Sequence, residues 1–128
     1  MAHEGLSNKQ IVLNFYRDVF NGWDISKVAE YVAPGYIQHN PTVEDGLEGF
    51  EKFISFFTSL EPRCEILRCD EAGDIVYVFF RCVLGNGLVN KVMDMYRVEN
   101  GMLVEHWDVV EHDAAEKERN AVNENGIW

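Results

Sequence analysis

Basic residues are scarce in this chain: 11 Lys and Arg stand against 22 Asp and Glu among 128 residues, a formal net charge of -11. Such a molecule repels phosphate backbones and anionic headgroups, so neither nucleic acid nor a membrane surface is an expected partner. The acidity is weighted towards the C-terminus, where positions 99 to 128 hold 8 of the acids and 2 of the basic residues, and a solvated acidic surface is its simplest reading. Long apolar runs are missing too. None reaches the ~18 residues of a membrane span, and the start Met1-Ala2-His3-Glu4 has no basic region leading into an apolar stretch. His3 is expected in a frayed terminus. Cysteine is limited to Cys64, Cys69 and Cys82, an odd number without paired spacing, and the first two would point to opposite faces of a regular strand. A disulfide framework is therefore not expected, and the setting is read as reducing and cytoplasmic.

Cofactor signatures are equally lacking. There is no Gly-x-Gly-x-x-Gly, no Walker loop, no Gly-x-Ser-x-Gly elbow and no cysteine nucleophile with nameable partners, so no cofactor is expected. What remains, with 47% hydrophobic residues, is enough for one compact domain over residues 1 to 128 with its own core.

Helical periodicity opens the chain. Ser7 and Gln10 have capping-box spacing, and Ile11, Phe15 and Val19 with Val12, Tyr16 and Phe20 form one broad apolar stripe. Asn21-Gly22 ends that helix, and Asp24 is placed to cap a short second one running to about Tyr31, with Val28 and Val32 buried and Pro34-Gly35 as its stop. Tyr36 to Pro41 reads as a short strand-like run. A third helix spans about Leu47 to Leu60 with an aromatic face that includes Phe50, Phe53, Phe56 and Phe57. Core is the default role of such a face, and a ligand-cavity wall is the alternative.

After Pro62 the pattern becomes extended, over 63 to 70, 75 to 84, 88 to 98 and 102 to 110, with turn residues at 72 to 74, 85 to 87 and 99 to 101. This predicts a meander of antiparallel strands. Ile75 to Leu84 is apolar on both alternating faces apart from Arg81, which suits a strand covered on both sides: either helices cover one face and a second copy of the chain the other, or the sheet is strongly curved. The expected fold is α+β: a conical half-barrel in which three N-terminal helices pack on a strongly curved, mostly antiparallel sheet.

The last hairpin concentrates the chemistry. Asp94 sits on one strand and His106-Trp107-Asp108 on its partner. A two-residue turn at Asn100-Gly101 would set Asp94 opposite Trp107, whereas a bulged turn that pairs Val98 with Met102 would set Asp94 opposite His106. The second register is preferred, because it gathers Asp94, His106 and Asp108 with Val92, Tyr96, Val98, Val104 and Val110 on one face. A carboxylate in a partly dry pocket is poised for proton transfer near neutral pH. Asp108 and Asp94 are therefore the candidate acid/base couple, with His106 to orient or carry the proton. His39 is the candidate donor to a substrate oxygen, and Tyr96, Tyr16, Phe57 and Trp107 complete the expected substrate contacts. The alternative is a satisfied buried acid, Asp94 bonded to His106. No His-x-x-x-His or clustered Cys supports a metal site, and none is expected.

Two runs carry a family resemblance. Tyr36-Ile37-Gln38-His39-Asn40-Pro41 followed by Gly46, and Asp94 to Gly101 leading into Val104-Glu105-His106-Trp107-Asp108-Val109-Val110, resemble the SnoaL-like polyketide cyclase branch of the nuclear transport factor 2-like superfamily. The ending Asn123 to Trp128 is similar to that branch as well. The resemblance implies a conical fold with a deep cavity, homodimerisation through the sheet, and aldol-type ring closure without cofactor or metal. Asp108 falls at the matching acid/base position and Asp94 at its polar partner. The superfamily's cone also hosts isomerases, dehydratases, epoxide hydrolases and non-catalytic binders, and a ligand-binding or structural cone without catalysis is the alternative reading.

Overall fold

The computed structural model describes residues 3–128. Helix α1 (Asn8–Phe15) is capped by the Ser7 side chain, which accepts from the Gln10 backbone N–H, and it continues into a wider π turn, Tyr16–Phe20. That turn keeps Phe15, Tyr16, Val19 and Phe20 all buried. Asp24 caps a short 3-10 turn, Ile25–Lys27, that leads into α2 (Val28–Tyr31). Strand β1 (Val32–Gln38) follows at once, so Pro34 and Gly35 lie within a strand rather than after a helix. Pro is tolerated there because β1 is an edge strand, where a missing N–H costs no ladder bond on its open side.

Helix α3 (Gly46–Ser59) precedes the meander β2 (Arg63–Ala72), β3 (Ile75–Val83), β4 (Val89–Glu99) and β5 (Met102–Glu111), and α4 (Ala114–Arg119) lies near the end of the chain. The sheet order is β1-β5-β4-β3-β2, antiparallel except for the parallel β1–β5 pair. The sheet is curved and not closed, and the helices cover its inner face, where Val76, Val78, Phe80, Tyr96 and Leu103 join the helical aromatics in the core. The α+β half-barrel expected from the sequence is the architecture found.

Bulges in β2 and β5 bend the sheet and shift the register of its antiparallel pairs. In β2 the extra residue is Leu67, between the pairs Ile66–Phe80 and Arg68–Phe79. It returns Cys69 to the inner face, paired with Val78, so Cys64 and Cys69 share a face where a regular strand would separate them. In β5 the extra residue is Val104. Asn100 and Gly101, both at positive φ (51 and 76), form a two-residue turn that pairs Glu99 with Met102 and Val98 with Leu103, after which Arg97 pairs with Glu105. Asp94 is thus opposite Asp108, and Tyr96 opposite His106. The turn is the one the sequence reading set aside, yet the bulge restores the side-chain parity it preferred.

Loop contacts shape the sheet margin and the entry to α3. Asn21, just after the π turn, donates from Nδ2 to the Cys64 carbonyl (2.9 Å) and accepts the Cys64 N–H at Oδ1 (2.6 Å), occupying the open edge of β2. Gly49 of α3 admits the 40–45 loop, since a Cβ there would lie 2.0 Å from the Glu44 carbonyl oxygen. The N-terminus is docked rather than frayed at His3, which stacks on Tyr31 and bonds the Glu30 carbonyl (2.6 Å). Among the described residues no helix is long and apolar enough to cross a membrane.

Candidate active site

Between α3 and the inner face of the sheet lies a cavity of about 430 Å³, in the range of small-molecule sites. Phe20, Phe50, Phe53, Phe57 and Phe80 supply its aromatic wall, and Gln38, Asn40, Asp94, Tyr96, His106 and Asp108 form a connected polar floor. The strand period builds that floor. Alternate residues of β4 and β5 face inward, and Tyr36 and Gln38 at the end of β1 and Asn40 just after it do the same.

Asp94 is only 4% exposed and is saturated with donors. Its Oδ2 accepts from the hydroxyls of Tyr16 and Tyr96 (3.1 Å for Tyr96), while Oδ1 lies 3.0 Å from His106 Nε2. Burial foremost, and then the Asp94 charge, push the pKa of both tyrosines well above the usual phenol value, so both remain donors.

On the other side of the imidazole, Gln38 Oε1 accepts the Asn40 backbone N–H (3.0 Å), which identifies that atom as the amide oxygen. Since Oε1 also lies 2.6 Å from His106 Nδ1, Nδ1 must carry a hydrogen. On its far edge Nε2 faces Asp94 Oδ1 at 3.0 Å. His106 is pinned in the plane by both contacts and is 6% exposed.

Asp108 is placed differently. Its side chain is 15% exposed and faces the cavity, with Oδ2 3.9 Å from His106 Nε2 and accepting from Asn40 Nδ2 at 2.8 Å. Asn40 is itself oriented by Thr42, whose backbone N–H and hydroxyl donate to its Oδ1 (2.9 and 2.7 Å). Burial raises the Asp108 pKa, opposed by the Asn40 hydrogen bond and the nearby His106. Tyr36, buried with its ring parallel to that of His106, has no protein partner for its hydroxyl. Burial and the charges of Asp94 and Asp108 keep it protonated.

The expected site residues therefore separate. Asp94, His106, Asp108 and Tyr96 converge at the floor, Phe57 lines the wall, and Tyr16 supports Asp94 from beneath. His39 and Trp107 are not in the cavity. They stack on each other outside it (4.9 Å between centroids), and His39 Nε2 bonds Glu105 (2.7 Å), which also takes the Arg97 guanidinium. Both have the wrong parity: each neighbours an inward residue and so points out. Gln38, Asn40 and the cavity-lining His112 and Asn90 were missed. For Gln38 and Asn40 the available signal was period two running from Tyr36. Asp94, His106 and Asp108 are also the groups that could hold a divalent cation, with ligand atoms all within 4.8 Å of one another.

No curated protein is significantly similar to the chain in sequence. Solved structures share its fold. IdmH from Streptomyces antibioticus, described as a candidate polyketide cyclase, has a TM-score of 0.72 at 19% identity, covering 82% of this chain and 92% of its own. A candidate polyketide cyclase from Acidithiobacillus ferrooxidans has a TM-score of 0.76 at 16% identity, covering 93% and 99%. A SnoaL-like polyketide cyclase from Agrobacterium tumefaciens gives 0.71 at 16%, covering 89% and 98%. Residues 12–106, from α1 through the His106 that anchors the polar floor, match the SnoaL-like domain, and the chain belongs to that family.

Proposed function

We propose that the protein is a cofactor-independent lyase or isomerase that performs aldol-type cyclase chemistry on a small, mostly apolar carbonyl compound. The observation that carries this reading is the pairing of one half-buried, cavity-facing carboxylate, Asp108, with one saturated carboxylate, Asp94. Two acids in adjacent but unlike surroundings take different roles. Asp94 fixes His106. Asp108, made more basic by burial, removes a proton from the carbon next to the substrate carbonyl.

The electron pair of that C–H bond moves to the carbonyl oxygen, towards which the second hydrogen of Asn40 Nδ2 is free to donate. The enolate carbon then attacks a second carbonyl of the same molecule, and Asp108 returns its proton to the new alkoxide. The phenylalanine wall holds the apolar body and limits water. The names of the structural neighbours and the family support the same class of chemistry. The three free thiols suit a reducing, cytoplasmic setting.

Solvent-deuterium exchange into a β-keto probe tests the reading. Wild type is expected to accelerate exchange and Asp108→Asn to lose that acceleration. Equal rates in both would remove Asp108 from the chemistry. A probe that binds but never exchanges would favour a non-catalytic ligand-binding cone.

A further inference from the structure

Below the aromatic wall, on the inner face of the sheet, two cysteines take no part in the chemistry assigned to Asp108. Cys64 of β2 and Cys82 of β3 are direct register partners, and both are buried. Which kind of pair they form follows from Asn21. The Cys64 N–H and carbonyl are both bonded to the Asn21 side chain, so they point away from β3. In an antiparallel ladder a residue's N–H and carbonyl point to the same side, and Cys64 therefore occupies a non-hydrogen-bonded position opposite Cys82.

Such pairs bring Cα atoms to about 4.5 Å, the closest approach the ladder allows. That separation lies within the range of about 4.4–6.8 Å that a disulfide spans. The bulge at Leu67 lies beyond this pair, so the register at Cys64 is regular. Cys82 also lines the cavity, which gives a small oxidant a route to it.

We propose that Cys64 and Cys82 form a reversible cross-strand disulfide when the protein meets a peroxide. Cys82, as thiolate, attacks one peroxide oxygen. The O–O bond breaks, hydroxide leaves and takes up a proton to become water, and Cys82 becomes a sulfenic acid. The Cys64 sulfur then attacks that of Cys82. The S–S bond forms, the S–O bond breaks, and the departing hydroxide takes the Cys64 proton as a second water. Two thiols are oxidised by two electrons and one peroxide is reduced to two waters.

The order of events agrees with the directions in which the two neighbouring thiols shift each other, Cys64 up and Cys82 down. Cys69 also faces inward, but its register partner is Val78, so it has no thiol opposite it.

The folded protein, treated with hydrogen peroxide in native buffer and then alkylated after unfolding, is read by intact mass and peptide mapping. The expected result is alkylation at Cys69, a Cys64–Cys82 linked peptide, and alkylation of all three cysteines after dithiothreitol. Cys82→Ser and Cys64→Ala should each abolish the link. Alkylation of all three without reduction would overturn the proposal, as would a link through Cys69 or sulfinic acid at Cys82 with Cys64 still free. The decisive measurement is made on the wild type, so it stands even if a variant fails to fold.

Discussion

Asp94 and Asp108 are directly opposed on β4 and β5 in the cavity floor, yet Asp94 is 4% exposed and enclosed by donors while the Asp108 side chain is 15% exposed. The difference lies in their neighbours. Tyr16, Tyr96 and His106 aim donors at Asp94, whereas the protein contacts of Asp108 are Asn40 and a longer approach to His106. Asp94→Ala leaves three buried donors without their acceptor and is expected to destabilise the fold by about 3–5 kcal/mol. Urea unfolding measures it, and a loss below about 1 kcal/mol would contradict the anchoring role.

Asp108 should behave in the opposite sense. Its folded-state pKa is raised above the ordinary carboxylate value of 3.8, so its favourable contribution to stability is fully present below that value and is lost as pH rises through the folded-state pKa. At about pH 7 the ionised group opposes folding. Asp108→Asn is therefore expected to melt at a higher temperature than wild type near neutrality, with the gap closing towards about pH 3, while exchange activity falls by about 10²–10⁴-fold. A variant that melts lower at neutral pH would overturn the sign.

Gln38 sets the hydrogen on His106 Nδ1. Gln38→Leu removes the acceptor for that hydrogen and for the Asn40 N–H, a loss of about 1–3 kcal/mol. Gln38→Glu keeps both contacts. Nitrogen-15 spectra of the His106 ring are expected to show a protonated Nδ1 in wild type and in Gln38→Glu, and a changed pattern in Gln38→Leu. An unchanged ring in the leucine variant would detach Gln38 from the site.

His39→Ala should leave the exchange rate within about twofold of wild type, because its ring stacks on Trp107 outside the cavity. A large fall in rate with stability unchanged would return His39 to the substrate site.

The outer face of the sheet exposes Tyr77, Met93 and Val109, neighbours across β3, β4 and β5. We propose that a second copy covers this face. Sedimentation is expected to give about twice the 14.8 kDa of one chain, and Val109→Arg to shift it to the single-chain mass. A single-chain mass for wild type at micromolar concentration would remove the proposal.

The course of the chain was legible from periodicity because the long elements are strongly patterned: the stripe of α1, the aromatic face of α3 and four strands between glycine-bearing turns. What escaped was local. The bulges at Leu67 and Val104 each insert one residue without a composition signal, and each reverses which side chains face in. For the last hairpin two misreadings cancelled, so Asp94, His106 and Asp108 were correctly grouped through an incorrect register. For β1 nothing cancelled. Histidine chemistry drew attention to His39, while the strand turned its neighbours Gln38 and Asn40 inward.

Asn21 has a consequence at the scale of assembly. Its carboxamide presents one donor and one acceptor to Cys64, the pattern a neighbouring strand would offer, so the sheet ends at β2 with that position already filled. An incoming strand would have to displace it before adding to the ladder there. At the opposite margin, Pro34 in β1 offers no N–H to a newcomer. With each margin blunted at one point, lateral growth into a ribbon of many copies by strand addition is obstructed at both ends of the sheet.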